Sequence, residues 1–73
     1  MKKLSNREKE VMDLLIKGMS NNEIAEELFI SIHTVKAHLA SSYEKLGTAN
    51  RVLGAIKYFE LCKKSERLQL SEK

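Results

Sequence analysis

The residues best suited to chemistry lie along one side of the third helix that the sequence predicts. Lys36 carries an ammonium group that can donate hydrogen bonds to guanine O6 or N7, and Ala37 and Ala40 carry methyl groups that can contact thymine methyls. Ser41 and His33 add a hydroxyl group and an imidazole ring to the same side. Small, polar and basic groups in this arrangement suit the major groove of DNA.

Two short helices joined by a tight turn must position this side. Ser20 and Glu23 form a capping box, which predicts a helix over residues 21–28. Ser31 caps the next helix, over residues 32–46. The other side of that helix is apolar, with residues spaced four, four and three apart: Val35, Leu39, Tyr43 and Leu46. This pair of helices predicts a helix-turn-helix that binds DNA.

A further helix on each side of this pair completes the predicted fold, which is all-α with four helices and no wing. A second capping box, at Ser5 and Glu8, predicts a helix over residues 6–17. Asn50 is expected to cap a fourth helix that runs from residue 51 to about residue 63 or beyond. The inward side of the first helix is predicted to be apolar: Val11, Leu14 and Leu15.

Bulky apolar residues are expected to be covered in two different ways. In the turn, we expect Phe29 and Ile30 to be buried, which would fix the angle between the two helices of the pair. The fourth helix carries apolar residues on more than one side, and a small domain cannot cover all of them by itself. We therefore expect a homodimer that forms through this helix, chiefly by Leu53 and Ile56.

Length and charge limit the number of domains and the kind of partner that the chain can have. The 73 residues make one small domain, expected over residues 1–64, with a polar tail over residues 65–73. A formal charge of +3 and a pI near 9.1 favour an anionic partner without requiring one. The single cysteine, the lack of a signal peptide and the lack of a long apolar run predict a cytoplasmic protein without membrane contact.

The side chains that could support catalysis or metal binding do not fall into a useful pattern. No serine, histidine and acid form a recognisable catalytic arrangement, and no glycine-rich loop could hold a phosphate. His33, His38 and Cys62 lack the spacing of a zinc site, so we expect no metal and no cofactor. The prediction is therefore a protein that is not an enzyme.

Several short motifs occur in a fixed order along the chain. They are LSxRExEV from residue 4, GxSNxEIA from residue 18, LxIS from residue 28, TVKxH from residue 34, KLG from residue 45, and Arg51. In this order and spacing they resemble the DNA-binding domain of the LuxR/NarL/FixJ group of bacterial transcription regulators, many of which are response regulators. In length the chain resembles the stand-alone members of that group, because no further domain precedes the motifs.

The resemblance implies that the third helix enters the major groove. Lys36, Ala37 and Ala40, with Ser41 beside them, match positions at which family members touch base edges. The alternatives for these residues are a solvated lysine and alanines that only fill the helix.

Four other polar residues are the predicted phosphate contacts: Thr34, Asn21, Asn22 and His38. Each has an alternative role. Thr34 could instead cap the third helix, and the two asparagines could be simple polar surface. His38 could be a hydrogen-bonded histidine at the border of the core.

The resemblance also carries structural expectations. Glu8 and Arg51 both belong to the family pattern, and we expect an ion pair between them that joins the fourth helix to the first; phosphate contact by Arg51 is the alternative. Ser42 and Gly54 depart from the usual pattern. Glycine inside a helix costs about 1 kcal/mol relative to alanine, so Gly54 is expected to weaken the fourth helix.

The functional hypothesis is a sequence-specific transcription regulator that binds double-stranded DNA as a homodimer, with RNA polymerase as a further candidate partner. A close alternative is region 4 of a sigma factor, although the upstream region 2 of such a factor is missing from the sequence. A third alternative is a protein-interaction module that does not touch DNA. The acidic residues of the second helix keep this last alternative open: Glu23, Glu26 and Glu27.

Overall fold

Four α-helices form the domain in a computed structural model that describes the backbone of residues 3–71 and the side chains of residues 3–64. The helices are α1 (Asn6–Ile16), α2 (Asn21–Leu28), α3 (Ile32–Leu46) and α4 (Arg51–Ser71). No strand occurs in the described backbone, so the predicted all-α fold with four helices is confirmed. Within these residues, none of the helices combines the length and the apolar character that a bilayer crossing requires.

Side-chain caps begin the first three helices where the sequence predicts them. The Ser5 hydroxyl accepts from the Glu8 N–H at 3.1 Å, and the Glu8 carboxylate accepts from the Ser5 N–H at 2.8 Å. Ser20 and Glu23 form the same pair of bonds. Because these bonds satisfy N–H groups that have no partner inside the helix, they fix each start to a single residue. α1 ends one residue earlier than predicted, with Lys17 as its cap.

The core lies where α1, α2 and α3 meet, and α4 closes it from one side. Among residues 3–64, nine apolar residues are buried: Val11, Met12, Leu15, Ile24, Ala25, Val35, Leu39, Leu46 and Tyr58. The predicted inward side of α1 is correct for Val11 and Leu15, but Met12 is fully buried whereas Leu14 is only partly buried. α1 contacts all three other helices, so its buried surface is wider than a single stripe.

The turn between α2 and α3 differs from the prediction. Phe29 is 94% exposed, and only Ile30 packs partly against the core. Phe29 ends α2 in the left-handed conformation, with φ 58° and ψ 44°, a position that favours glycine or asparagine. This conformation turns the ring out of the domain. The expectation that both residues are buried is therefore wrong for Phe29.

Gly54 allows α4 to approach α3 closely. A Cβ atom at Gly54 would lie 2.5 Å from Cδ1 and 2.7 Å from Cε1 of Tyr43, distances that real Cβ atoms do not adopt. The departure from the usual family pattern thus has a packing reason. Ser42 is also well accommodated, because its fully buried hydroxyl donates to the His38 carbonyl at 2.7 Å.

The helical backbone of α4 continues to Ser71, which agrees with the expectation that this helix reaches residue 63 or beyond. The side chains of residues 65–71 and the whole of residues 72 and 73 lie outside the described residues. The polar tail over residues 65–73 and the domain boundary at residue 64 therefore stay predictions.

Candidate nucleic-acid interface

The exposed side of α3 carries the residues that were predicted to contact bases. Lys36, Ala37 and Ala40 are all exposed, and Ala40 lies beside the other two on the helix surface because it follows them by four and three residues. Ser41 is half-buried at the edge of this group, and its hydroxyl lies beside the Glu8 carboxylate. The structure thus brings one ammonium group and two methyl groups together on a surface of small residues.

The opposite side of α3 is held by the core. It consists of buried residues spaced four, three and four apart: Val35, Leu39, Ser42 and Leu46. Burial on this side fixes the rotation of α3 about its axis. The exposed side is therefore presented by a rigid element.

An ion pair anchors the C-terminal half of α3 to α1. Lys45 Nζ lies 2.8 Å from Oε1 of Glu8, whose side chain is almost completely buried. Burial alone raises the pKa of Glu8, but hydrogen bonds from Lys45, Ser41 and the Ser5 N–H outweigh it and lower the pKa to about 2. Glu8 is therefore ionised at neutral pH and serves as a fixed negative anchor for α3.

The predicted ion pair between Glu8 and Arg51 is wrong. Lys45 occupies the Glu8 carboxylate, and Arg51 lies at the start of α4 beside the start of α2. There Nη1 of Arg51 donates to Oδ1 of Asn21 at 2.7 Å, and Nη2 donates to the Met19 carbonyl at 3.0 Å. This contact could not be predicted from the sequence, because it joins positions that are adjacent only in the folded chain.

The first turn of α3 contains a compact hydroxyl pair. The Ser31 hydroxyl accepts from the Thr34 N–H at 3.1 Å and also shares a hydrogen bond with the Thr34 hydroxyl at 2.9 Å. The capping role that was the alternative for Thr34 is thus present in the structure. Its contact with a phosphate stays a prediction.

The remaining predicted phosphate contacts lie at the edges of the same surface. Asn22 is exposed in the first turn of α2, next to the half-buried Asn21. His38 is half-buried between the exposed side of α3 and the core, while His33 is exposed in the first turn of α3. The phosphate contacts of these side chains stay predictions.

A second exposed surface lies on α4. Leu53 and Ile56, the predicted dimer residues, are each about half exposed, as is Phe59, and Val52 is 67% exposed. Between α4 and α1 runs an open groove of about 510 Å³, with Leu15, Ile56 and Phe59 in its lining. The spacing of four and three residues from Val52 to Phe59 makes a continuous apolar stripe.

The chain is similar to known bacterial regulatory proteins. Residues 2–57 match the family model described as bacterial regulatory proteins, luxR family. The chain is 52% identical over 48 residues to the CsgBAC operon transcriptional regulatory protein of Escherichia coli K12, covering 66% of this chain and 22% of that protein. It is 43% identical over 53 residues to the transcriptional regulatory protein LiaR of Bacillus subtilis 168, covering 73% and 25%.

Two solved structures share the fold. The response regulator ChrA of a heme-sensing two-component system superposes with a TM-score of 0.77 and 41% identity, over 84% of this chain and 30% of that one. The transcription factor GerE superposes with a TM-score of 0.73 and 33% identity, over 80% and 87%. The chain thus spans about a quarter of the length of the curated relatives it matches, and most of the length of GerE.

Proposed function

This chain belongs to the luxR family of bacterial regulatory proteins, and we propose that it regulates transcription by binding specific DNA sequences. The observation that carries this proposal is the arrangement of α3. Its apolar side is fixed in the core, whereas Lys36, Ala37 and Ala40 stand exposed on the other side. A helix held in this way can enter the major groove without rearrangement of the domain.

Direct contact with base edges provides the proposed specificity. Lys36 donates to guanine O6 or N7, and the methyl groups of Ala37 and Ala40 contact thymine methyls or allow α3 to approach the bases closely, with Ser41 at the edge of the contact. Each good base contact contributes about 1–3 kcal/mol of discrimination. The base preference of the protein therefore depends on few residues.

Contacts with phosphates position the domain on the duplex. Asn21 and Asn22 occupy the first turn of α2, and Thr34 occupies the first turn of α3, where helix N-termini attract anions. His38 borders the same surface and can donate to a phosphate from its imidazole ring. These contacts set the register of α3 but carry no sequence information by themselves.

We further propose that two copies bind together through α4. The half-exposed stripe with Leu53 and Ile56, extended by Val52 and Phe59, supports an apolar contact between the helices of two protomers. In such a dimer the two α3 helices enter successive major grooves about 10 bp apart. Two copies double the number of base contacts that a single short helix can make.

The test of base recognition begins with selection of duplexes from a random DNA pool, followed by affinity measurements on a selected and a scrambled duplex. Lys36→Ala is expected to lower the ratio of the two affinities by about fivefold to 150-fold, which corresponds to 1–3 kcal/mol. Lys9→Ala removes the same charge from an exposed position on α1 and is the control. It should leave the ratio unchanged. An unchanged ratio for Lys36→Ala would contradict the base-contact assignment.

A matched pair of variants tests whether α4 forms the proposed dimer interface. Ile56→Glu places a charge in the proposed interface and is expected to convert dimers to monomers in sedimentation equilibrium. Ile32→Glu introduces the same change at an isoleucine that is also exposed, on α3, and should leave the oligomeric state unchanged. A dimer that persists in Ile56→Glu rules out α4 as the interface.

RNA polymerase is the proposed protein partner of the DNA-bound dimer. The exposed ring of Phe29 next to the acidic end of α2 supports this contact, because an acidic surface with Glu26 and Glu27 is unsuited to phosphates. Phe29→Asn preserves the left-handed turn and should keep DNA affinity while it lowers recruitment of purified polymerase holoenzyme to a promoter fragment. Unchanged recruitment would exclude this surface.

Salt dependence separates DNA binding from a function as a protein-interaction module. Binding to phosphates releases condensed counterions, so the affinity for the selected duplex should fall steeply as salt increases. An apolar contact with a protein changes little over the same range. If no duplex is selected from the pool at low salt, the DNA-binding proposal fails.

A further inference from the structure

Arg51 connects the start of α4 to the start of α2. Its guanidinium group donates from Nη1 to Oδ1 of Asn21 at 2.7 Å and from Nη2 to the Met19 carbonyl at 3.0 Å. Tyr43 of α3 lies beside it: burial raises the pKa of Tyr43, and the nearby positive charge of Arg51 opposes that rise. One side chain thus contacts α2, the loop before it and α3.

The chemistry of the guanidinium group fixes the orientation of the Asn21 amide. Arginine has five N–H donors and no acceptor, so only the amide oxygen of Asn21 can face it. The Asn21 nitrogen Nδ2, with its two N–H donors, then points to the opposite side. An asparagine without this partner rotates between its two amide orientations and its side-chain rotamers at little cost.

We infer that Arg51 is a positioning residue, which holds the Asn21 amide with its N–H donors directed to a DNA phosphate. The inference rests on the proposed function, because the phosphate is part of the DNA complex. Two nitrogens of Arg51 are already committed to Asn21 and Met19, which favours an indirect role over direct contact of Arg51 with the phosphate. Pre-orientation of a donor improves binding because less rotational freedom is lost in the complex.

A double-mutant cycle on DNA affinity tests the inference with the full chain and a duplex selected as above. Arg51→Ala and Asn21→Ala are each expected to weaken binding by about threefold to tenfold per bound protomer, the range of one hydrogen bond. The double variant should bind no more weakly than Asn21→Ala alone, because Arg51 acts through Asn21. The inference would be overturned if the affinity losses of the two single variants multiplied in the double variant, or if Asn21→Ala bound DNA like the wild type.

Asn22 provides the matched control. It is an exposed asparagine in the same turn of α2, and Arg51 donates no hydrogen bond to it. In an Asn22→Ala background, Arg51→Ala should therefore keep its full effect on affinity. If Arg51 only stabilised the fold, its substitution would weaken binding equally in both asparagine backgrounds, and thermal unfolding would report the loss separately.

The salt dependence of binding distinguishes positioning from direct contact. The slope of log K against log salt counts the phosphates that charged groups neutralise. Since Asn21 is neutral, Arg51→Ala should lower affinity and leave the slope unchanged. A slope reduced by about 0.9 would show that Arg51 itself neutralises a phosphate. If the wild-type protein selects no duplex from the pool, the proposed function fails. If it selects duplexes normally but the free-energy effects of Arg51→Ala and Asn21→Ala are additive, only the role of Arg51 is overturned.

Discussion

Substitution of Gly54 by alanine tests the packing of α4 on α3, and the sign of its effect should depend on Tyr43. Alanine in a helix is favoured over glycine by about 1 kcal/mol. The added Cβ, however, would meet the Tyr43 ring at 2.5 Å and 2.7 Å, so the ring or α4 must move by nearly 1 Å to restore an ordinary contact of about 3.5 Å. Such overpacking costs about 1–3 kcal/mol.

Helix propensity and overpacking predict different outcomes for Gly54→Ala in the wild type and in a Tyr43→Ala background. In the wild type, Gly54→Ala should be neutral or lower the free energy of unfolding by up to about 2 kcal/mol, the difference between overpacking and helix propensity. In a Tyr43→Ala background the clash is absent, and the same substitution should raise the free energy of unfolding by about 1 kcal/mol. The effect of Gly54→Ala on the free energy of unfolding should therefore differ between the two backgrounds by about 1–3 kcal/mol.

Urea unfolding followed by circular dichroism measures all four proteins of this cycle. Tyr43→Ala removes a partly buried ring from a small domain, so an equal concentration of a stabilising osmolyte such as trimethylamine N-oxide should be present throughout. The osmolyte shifts the four proteins in the same direction and leaves their differences interpretable. If Gly54→Ala stabilises both backgrounds by the same amount, Tyr43 does not restrict position 54 and the packing argument is wrong.

Substitutions at three further positions have expected outcomes that unfolding measurements can check. The pKa of Glu8 is lowered from its ordinary value of 4.5 to about 2 in the folded protein. Its ionisation therefore stabilises the fold by about 3 kcal/mol above pH 4.5, and this contribution is lost as the pH falls from 4.5 towards 2. The difference in unfolding free energy between wild type and Glu8→Gln should narrow over that window, and parallel curves would contradict the assignment. Phe29→Asn should stabilise the protein by about 0.5–1 kcal/mol, because asparagine tolerates φ 58° and the exposed ring has little packing to lose. Phe29→Val should destabilise it, and a stable valine variant would refute the strain. Tyr58→Phe removes the bond to Asp13 at 2.6 Å and should cost about 1 kcal/mol, with an unchanged melting temperature as the contrary result.

The helix starts were predictable because their determinants are local. A serine and a glutamate three residues apart satisfy each other's backbone groups whatever the rest of the chain does, and α2 begins and ends at the predicted residues. The exposed group on α3 was predictable for a similar reason. Its polar residues are separated from the apolar ones by helical periodicity alone.

The errors arise where backbone conformation or tertiary contact decides. Phenylalanine is usually buried, yet the left-handed cap of α2 directs the Phe29 ring outward. Charge complementarity alone fits Glu8 to either Lys45 or Arg51, and only the packing of α3 on α1 selects Lys45. The role of Gly54 likewise depends on the Tyr43 ring, eleven positions earlier in the chain, which no local pattern reveals.

In the dimer proposed above, the close approach of α4 to Tyr43 has an evolutionary consequence. The angle at which α4 crosses α3 then determines the distance between the two DNA-inserted helices, and hence the number of base pairs between half-sites. Tyr43 and Gly54, which form that crossing, are not among the residues proposed to contact bases. Preference for half-site spacing and preference for bases can thus diverge independently among relatives, the first by substitutions at the crossing and the second by substitutions on the exposed side of α3.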